Sequence, residues 1–132
     1  MEDQLKEKFA QYQQLNEQLE QFQNFYSELV SKEADIMQVM QALDEIKTNK
    51  PGKKMLVPVA SGIFLEAELK NVKEAVVNVG KDVCVRKSLD NTKEMLQKRM
   101  VEVMKHQGEV QSVIDQLTEV QTQLESELQT HV

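Results

Sequence analysis

YQQLNEQLEQFQNFYSELVSKEADIMQVMQAL, residues 12–43, carries apolar side chains spaced alternately three and four apart. Tyr12, Leu15, Leu19, Phe22, Tyr26, Leu29, Ile36, Met40 and Leu43 fill nine of ten successive seam positions, and Glu33 takes the tenth. On an α-helix, positions so spaced form one narrow stripe, the pattern of a coiled coil. No proline or glycine interrupts residues 1–47. The spacing therefore predicts a helix over 1–47, roughly 65–70 Å long at ~1.5 Å per residue. A polar residue in such a seam sets register or loosens the coil at some cost in stability. On the sequence alone, Glu33→Leu is expected to raise the thermal midpoint.

The closing segment repeats the pattern. Leu96, Met100, Val103, Val110, Ile114, Leu117, Leu124 and Leu128 form its stripe, with Gln107, Gln121 and His131 as polar exceptions. Ser88 and Asp90 are the candidate caps and Glu94 lies in the first turns. Gly108 costs about 1 kcal/mol relative to alanine in a helix and is read as tolerated rather than as a break.

Between the helices the period changes. Pro51-Gly52 ends the first helix, and strand-favouring residues follow. Met55, Val57 and Val59 alternate first, then Ile63, Leu65, Ala67 and Leu69 alternate with Phe64, Glu66 and Glu68; Val77 and Val79, and Val83 and Val85, follow. Ala60-Ser61-Gly62, Lys70-Asn71 and Gly80-Lys81-Asp82 suit the connecting turns. The order is helix, two β-hairpins, helix.

Two long helices with one apolar stripe each bury those stripes most simply against each other as an antiparallel hairpin. The fold class is α+β: a single domain over 1–132, with coiled-coil helices at 1–47 and 89–132 and two β-hairpins at 48–88. A four-stranded piece of sheet with one apolar face and open edges needs partner strands. An oligomer is expected, assembled through Leu56, Val57, Val59, Ile63, Leu65, Leu69, Val77, Val79, Val83 and Val85.

Composition agrees with a chain poor in core. Aromatics are 5%, charged residues 29%, and glutamines number sixteen. The net charge of -6 is unevenly spread: residues 1–46 hold 10 acids and 3 bases, residues 47–88 hold 4 and 9, and residues 89–132 hold 8 and 4. A secreted protein of this size would usually be stapled by disulfides, whereas Cys84 is the single cysteine, which favours a reducing compartment. The start MEDQLKEKF lacks the form of a signal peptide, and no stretch approaches the ~20 apolar residues that span a bilayer. A soluble, cytoplasmic protein is expected, without a membrane partner.

Taken together, the heptad helix, then Leu56-Val57-Pro58-Val59-Ala60-Ser61-Gly62-Ile63-Phe64, then Val76-Val77-Asn78-Val79-Gly80 and Val83-Cys84-Val85-Arg86-Lys87-Ser88, then the second heptad helix, resemble the alpha class of prefoldin. The resemblance covers essentially the whole chain, and two hairpins rather than one separate the alpha from the beta class. Ala60 stands where members of the class often have glycine, and Asp82, Val83 and Arg86 where they often have glycine, tyrosine and glutamate. Asp tolerates the left-handed backbone region better than most residues, so the turn at Asp82 is expected to survive. The resemblance implies an ATP-independent holdase: a hexamer of two alpha-type and four beta-type subunits whose hairpins combine into an intersubunit β-barrel. Six coiled coils hang from it, hold unfolded client polypeptides and pass them to a group II chaperonin.

No catalytic constellation is legible, and the chain is read as a non-enzyme. His106, His131 and Cys84 are too few and too scattered for a metal cluster or a Cys-His pair. Cys84 alternates with Val83 and Val85 and so points away from their face; a redox role is left open. Gly52, Gly62, Gly80 and Gly108 form no phosphate loop, so no nucleotide cofactor is expected. Lys47, Lys50, Lys53 and Lys54 make a basic stretch without interleaved aromatics, between acidic arms that repel phosphates. It is read as a solvated connector, without a nucleic-acid partner.

Function is expected at the end of the helical pair, where antiparallel pairing puts residues 1–12 beside 121–132. There Phe9 falls one place off the heptad grid, Lys8 holds the grid position, and Gln121 and His131 interrupt the facing stripe. Leu5, Phe9, Tyr12, Leu124, Leu128 and Val132 are the candidate client-binding residues, less completely sealed than Leu19 or Leu117. A structural coiled-coil protein of prefoldin-like type, forming filaments or tethers through the same hairpins, is the competing reading.

Overall fold

In the computed structural model, which describes residues 2–130, α1 (Glu2–Thr48) is followed by β1 (Lys54–Ala60), β2 (Ile63–Glu68), β3 (Glu74–Asn78), β4 (Cys84–Ser88) and α2 (Leu89–Thr130). The fold is α+β, with the element order expected. No described helix is long and apolar enough to cross a membrane.

Among the described residues, every seam position read from the heptads is buried or half-buried, Glu33, Gln107 and Gln121 included; His131 lies outside them. Leu15, Leu19, Leu29, Leu43, Leu89, Leu96 and Val110 are the buried apolar side chains among the described residues. The chain divides into two units, one drawn from α1 up to Ala34 and α2 from Val101, the other Asp35–Met100.

In the second unit Leu43, Leu89 and Leu96 form a small core, with Ile36, Met40, Ile46, Ala75 and Met95 packed on it. Asp44 pairs with Lys93 at 2.8 Å, and Lys47 with Asp90, so numbers rise along α1 as they fall along α2. That is the antiparallel pairing expected. Ser88 caps α2, its Oγ accepting from the Asn91 N–H at 3.0 Å. Asp90 lies in the first turn, where a carboxylate complements the helix dipole.

The strands form two separate two-stranded antiparallel sheets, β1–β2 and β3–β4, which corrects the expectation of one four-stranded piece. The reason is the connection. Asn71 Oδ1 accepts from the Lys73 and Glu74 N–H groups at 2.8 and 3.1 Å. This side-chain turn redirects the backbone, so β3 does not continue beside β2. In β1–β2 the register shifts between Pro58 and Ala60; such a bulge is where a strand accommodates proline. In the β3–β4 turn Lys81 and Asp82 have φ of 50° and 61°, so Asp82 takes the left-handed conformation expected of it.

α2 runs through Gly108 unbroken, and α1 runs through Glu33. The polar seam residues face each other: Gln107 Nε2 donates to Glu33 Oε2 at 2.8 Å and to the Leu29 carbonyl at 3.4 Å. This corrects the expectation that Glu33→Leu alone stabilises. Burying a leucine gains about 1.5–3 kcal/mol, but without Glu33 the partly buried Gln107 amide keeps only the 3.4 Å bond to the Leu29 carbonyl, a loss of about 1–3 kcal/mol. The single substitution is therefore expected to move the thermal midpoint little, whereas Glu33→Leu with Gln107→Leu raises it by several degrees. A thermal double-mutant cycle checks this, and strict additivity of the two changes would refute the pairing.

Candidate functional site

The end of the helical unit near Glu2 and Thr130 carries polar rungs beside a seam that keeps Leu124 and Leu128 half-buried. Lys8, at the grid position, is half-buried and pairs with Glu127 at 3.1 Å. One turn on, Tyr12 Oη donates to Glu125 Oε1 at 2.5 Å. A further turn on, Gln121 Nε2 donates to Asn16 Oδ1. The Glu125 carboxylate, by accepting from the phenol, raises the Tyr12 pKa above its ordinary value; partial desolvation adds to this, and a hydrogen bond with Asn16 opposes it. Tyr12 thus keeps its proton, and the rung, across the neutral range. A phenol shifted up favours the folded state below its ordinary pKa and loses that contribution only as pH climbs through the raised value.

Because polar groups occupy the seam here, apolar side chains are displaced outward. Phe9 is 53% exposed and Leu5 39%. With Lys6, Ala10, Gln13 and Leu128 they line an open groove of about 400 Å³.

The structure brings together three of the sequence-derived client residues, Leu5, Phe9 and Leu128. Tyr12 and Leu124 are half-buried in the seam, outside the groove lining, and the hydroxyl of Tyr12 is engaged by Glu125. Val132 lies outside the described residues. Lys6, Ala10 and Gln13 were missed by sequence reasoning. Their signal was present, since Lys6 lies three residues before Phe9, Gln13 four after it and Ala10 four after Lys6, spacings that share a helical face.

The hairpins form a second candidate surface. In β1–β2 the cross-strand pairs Val57↔Leu65 and Met55↔Ala67 lie on one face, and Leu56↔Glu66 and Pro58↔Phe64 on the other. Apolar side chains are exposed on both: Val57 and Leu65 on the first, Leu56 and Phe64 on the second. Val59 and Ile63, also exposed, flank the Ser61-Gly62 turn. Leu56 thus lies on the opposite face of the hairpin from Val57 and Leu65, and Phe64, read as part of the non-core alternation, is 56% exposed.

In β3–β4, Val77 pairs with Val85. Both are half-buried on the face of Ala75, which packs against the chain's own core. Val79 and Val83 lie beyond the strands, joined across the turn by a 2.9 Å backbone bond from the Val79 N–H to the Val83 carbonyl. Leu69 follows β2, its N–H donating to the Lys53 carbonyl at 2.8 Å. Cys84 is a free, exposed thiol. Among the described residues no cluster of His, Cys, Asp or Glu converges on a metal position.

The family model described as prefoldin subunit matches residues 15–132. The chain is 30% identical over its whole length to prefoldin subunit alpha 1 of Methanocaldococcus jannaschii, covering 90% of that protein. It is 27% identical to prefoldin subunit alpha of Thermofilum pendens, with 92% of this chain and 95% of that one aligned. With prefoldin subunit alpha of Methanosphaera stadtmanae it shares 36% identity over 74% of this chain and 70% of that one. Among solved structures, the filamentous PFD from Methanocaldococcus jannaschii, determined by cryo-EM, superposes with a TM-score of 0.75. The alignment covers 92% of this chain and 98% of that one at 20% identity, a likeness of fold.

Proposed function

The chain belongs to the prefoldin family, whose subunits are chaperones and not enzymes, and from that premise we propose that it is an alpha-type subunit of an ATP-independent holdase. It works in the cytoplasm, without nucleic-acid or membrane partners. Unfolded polypeptides are bound at the ends of its coiled coil and transferred to a group II chaperonin.

The observation that carries this reading is the groove of Leu5, Phe9 and Leu128, kept open where Lys8, Tyr12 and Asn16 hold the helices by polar contacts. Apolar burial is non-directional and yields about 25 cal/mol per Å² whatever the client sequence. A site of this kind binds unfolded chains without reading them. Several arms acting on one client let each contact stay weak and reversible.

The exposed apolar faces of β1–β2 support assembly with beta-type subunits into an α2β4 hexamer, in which the hairpins of six chains close a β-barrel. Co-expression with a beta-type subunit is expected to give one discrete species, with two alpha and four beta chains by native mass measurement. A second reading, assembly of this chain alone into filaments, is favoured by the fold it shares with the filamentous PFD. Open-ended polymers of the chain alone, unaltered by the beta-type partner, would establish that reading in place of the hexamer.

A further inference from the structure

The apolar groove at the end of the helical unit sits in a surplus of negative charge. Glu2 stands three residues before Leu5 and four before Lys6 on α1, Asp3 three before Lys6, and Glu17 four after Gln13, spacings that put them on the turns bordering the groove. On α2, Glu125 lies three residues before Leu128. Against these, Lys6 is the single base in the lining, and the charge of Lys8 is taken up by Glu127. Among the described residues Glu2, Asp3 and Glu17 make no ion pair. Glu2 and Asp3 complement the helix dipole in the first turn, but both remain exposed carboxylates. Glu17 is well inside the helix, where the dipole offers it nothing.

From this juxtaposition we infer that the groove selects, among unfolded chains, apolar segments flanked by lysine or arginine. The inference rests on the client-binding reading given above and names the class of segment that site prefers. Apolar side chains of the client fill the space beside Leu5, Phe9 and Leu128, and its flanking cations meet Glu2, Asp3 and Glu17. Acidic flanks are repelled by the same three groups. Like-charge juxtaposition discriminates against wrong partners more strongly than exposed pairs add affinity for right ones. The selection is screened by salt, because the Debye length falls from about 8 Å at physiological ionic strength to about 3 Å at 1 M.

The test uses three labelled peptides with one shared leucine- and phenylalanine-containing core, flanked on both sides by lysines, glutamines or glutamates. Binding to the purified full chain is read by fluorescence anisotropy at low salt and at 1 M salt. Each exposed pair is weak, so the lysine-flanked peptide is expected to bind about three- to tenfold tighter than the glutamate-flanked one at low salt. The glutamine-flanked peptide falls between them, and the three converge at 1 M. In the chain carrying Glu2→Gln, Asp3→Asn and Glu17→Gln the ranking collapses. Equal affinities for all three peptides at low salt, or a ranking that survives the triple substitution, would overturn the charge selection while the groove reading stands. Binding of none of the three would overturn the groove reading itself, and the selection with it.

Discussion

Changing Leu5, Phe9, Leu124 and Leu128 together to serine is expected to leave subunit assembly intact and to cut the suppression of client aggregation by about half or more, since other arms of the complex still contribute. Leu5 and Phe9 are the exposed members of this set, with Leu128 across the groove from them. If a client covers about 100 Å² of this apolar surface, removing it forfeits about 2.5 kcal/mol per arm. The helices remain joined after the substitution through Lys8–Glu127, Tyr12–Glu125 and Asn16–Gln121. Leu124 and Leu128 are half-buried, so a companion variant guards against local unzipping. Phe9→Ser alone removes the most exposed apolar side chain of the groove, and an exposed change of this kind alters stability within about 0.5 kcal/mol. It is expected to weaken protection in the same direction with unchanged helicity by circular dichroism. Light-scattering assays with a denatured client decide the matter. Protection at the unmodified level in the quadruple variant, within an intact complex, would move the client surface away from the arm ends.

The second large effect lies at the hairpins. Leu65→Asp is expected to exclude the chain from the assembly while leaving the chain itself folded. Leu65 is 60% exposed in the single chain, so a carboxylate there is solvated until a partner covers it. Once covered, an unpaired carboxylate costs several kcal/mol even after relaxation, enough to reduce incorporation by about a hundredfold or more. The opposite face gives the comparison, since Phe64 is also exposed and points away from Leu65. If Val57 and Leu65 face the barrel interior, Phe64→Asp is the milder of the two. Size-exclusion chromatography of chains co-expressed with a beta-type subunit reads both. Normal entry of the Leu65→Asp chain into the complex would show that its face stays wet.

The helical seam was legible because its cause is local. A stripe at alternate spacings of three and four can be buried only by a helix lying against another, and each seam position from Tyr12 to Leu43 is accordingly shielded. The hairpin turns were legible for the same reason: Gly62 and Gly80, with φ of 77° and 121°, occupy conformations that other residues resist. The displacement of Phe9 by Lys8 could also be read from the grid, and with it most of the candidate groove.

What could not be read were the partners of residues far apart in the chain. Glu33 and Gln107 are each visible as an interruption, yet their pairing across 74 residues depends on the offset of one helix against the other, which no local pattern sets. The same offset sets Asn16 against Gln121 and Tyr12 against Glu125, turning a seam that reads as weakened into one that is fastened. Strand alternation likewise assigns residues to one face or the other without saying which face the chain covers for itself. Val77 and Val85 turn toward the chain's own core side, while Leu56, Phe64 and Leu65 stay open. The two helices, the hairpins and their stripes follow from backbone period and turn chemistry within a few residues, and so could be read from the residues alone. Which polar groups meet and which apolar faces remain uncovered depends on contacts between residues far apart in the chain, which no local pattern specifies.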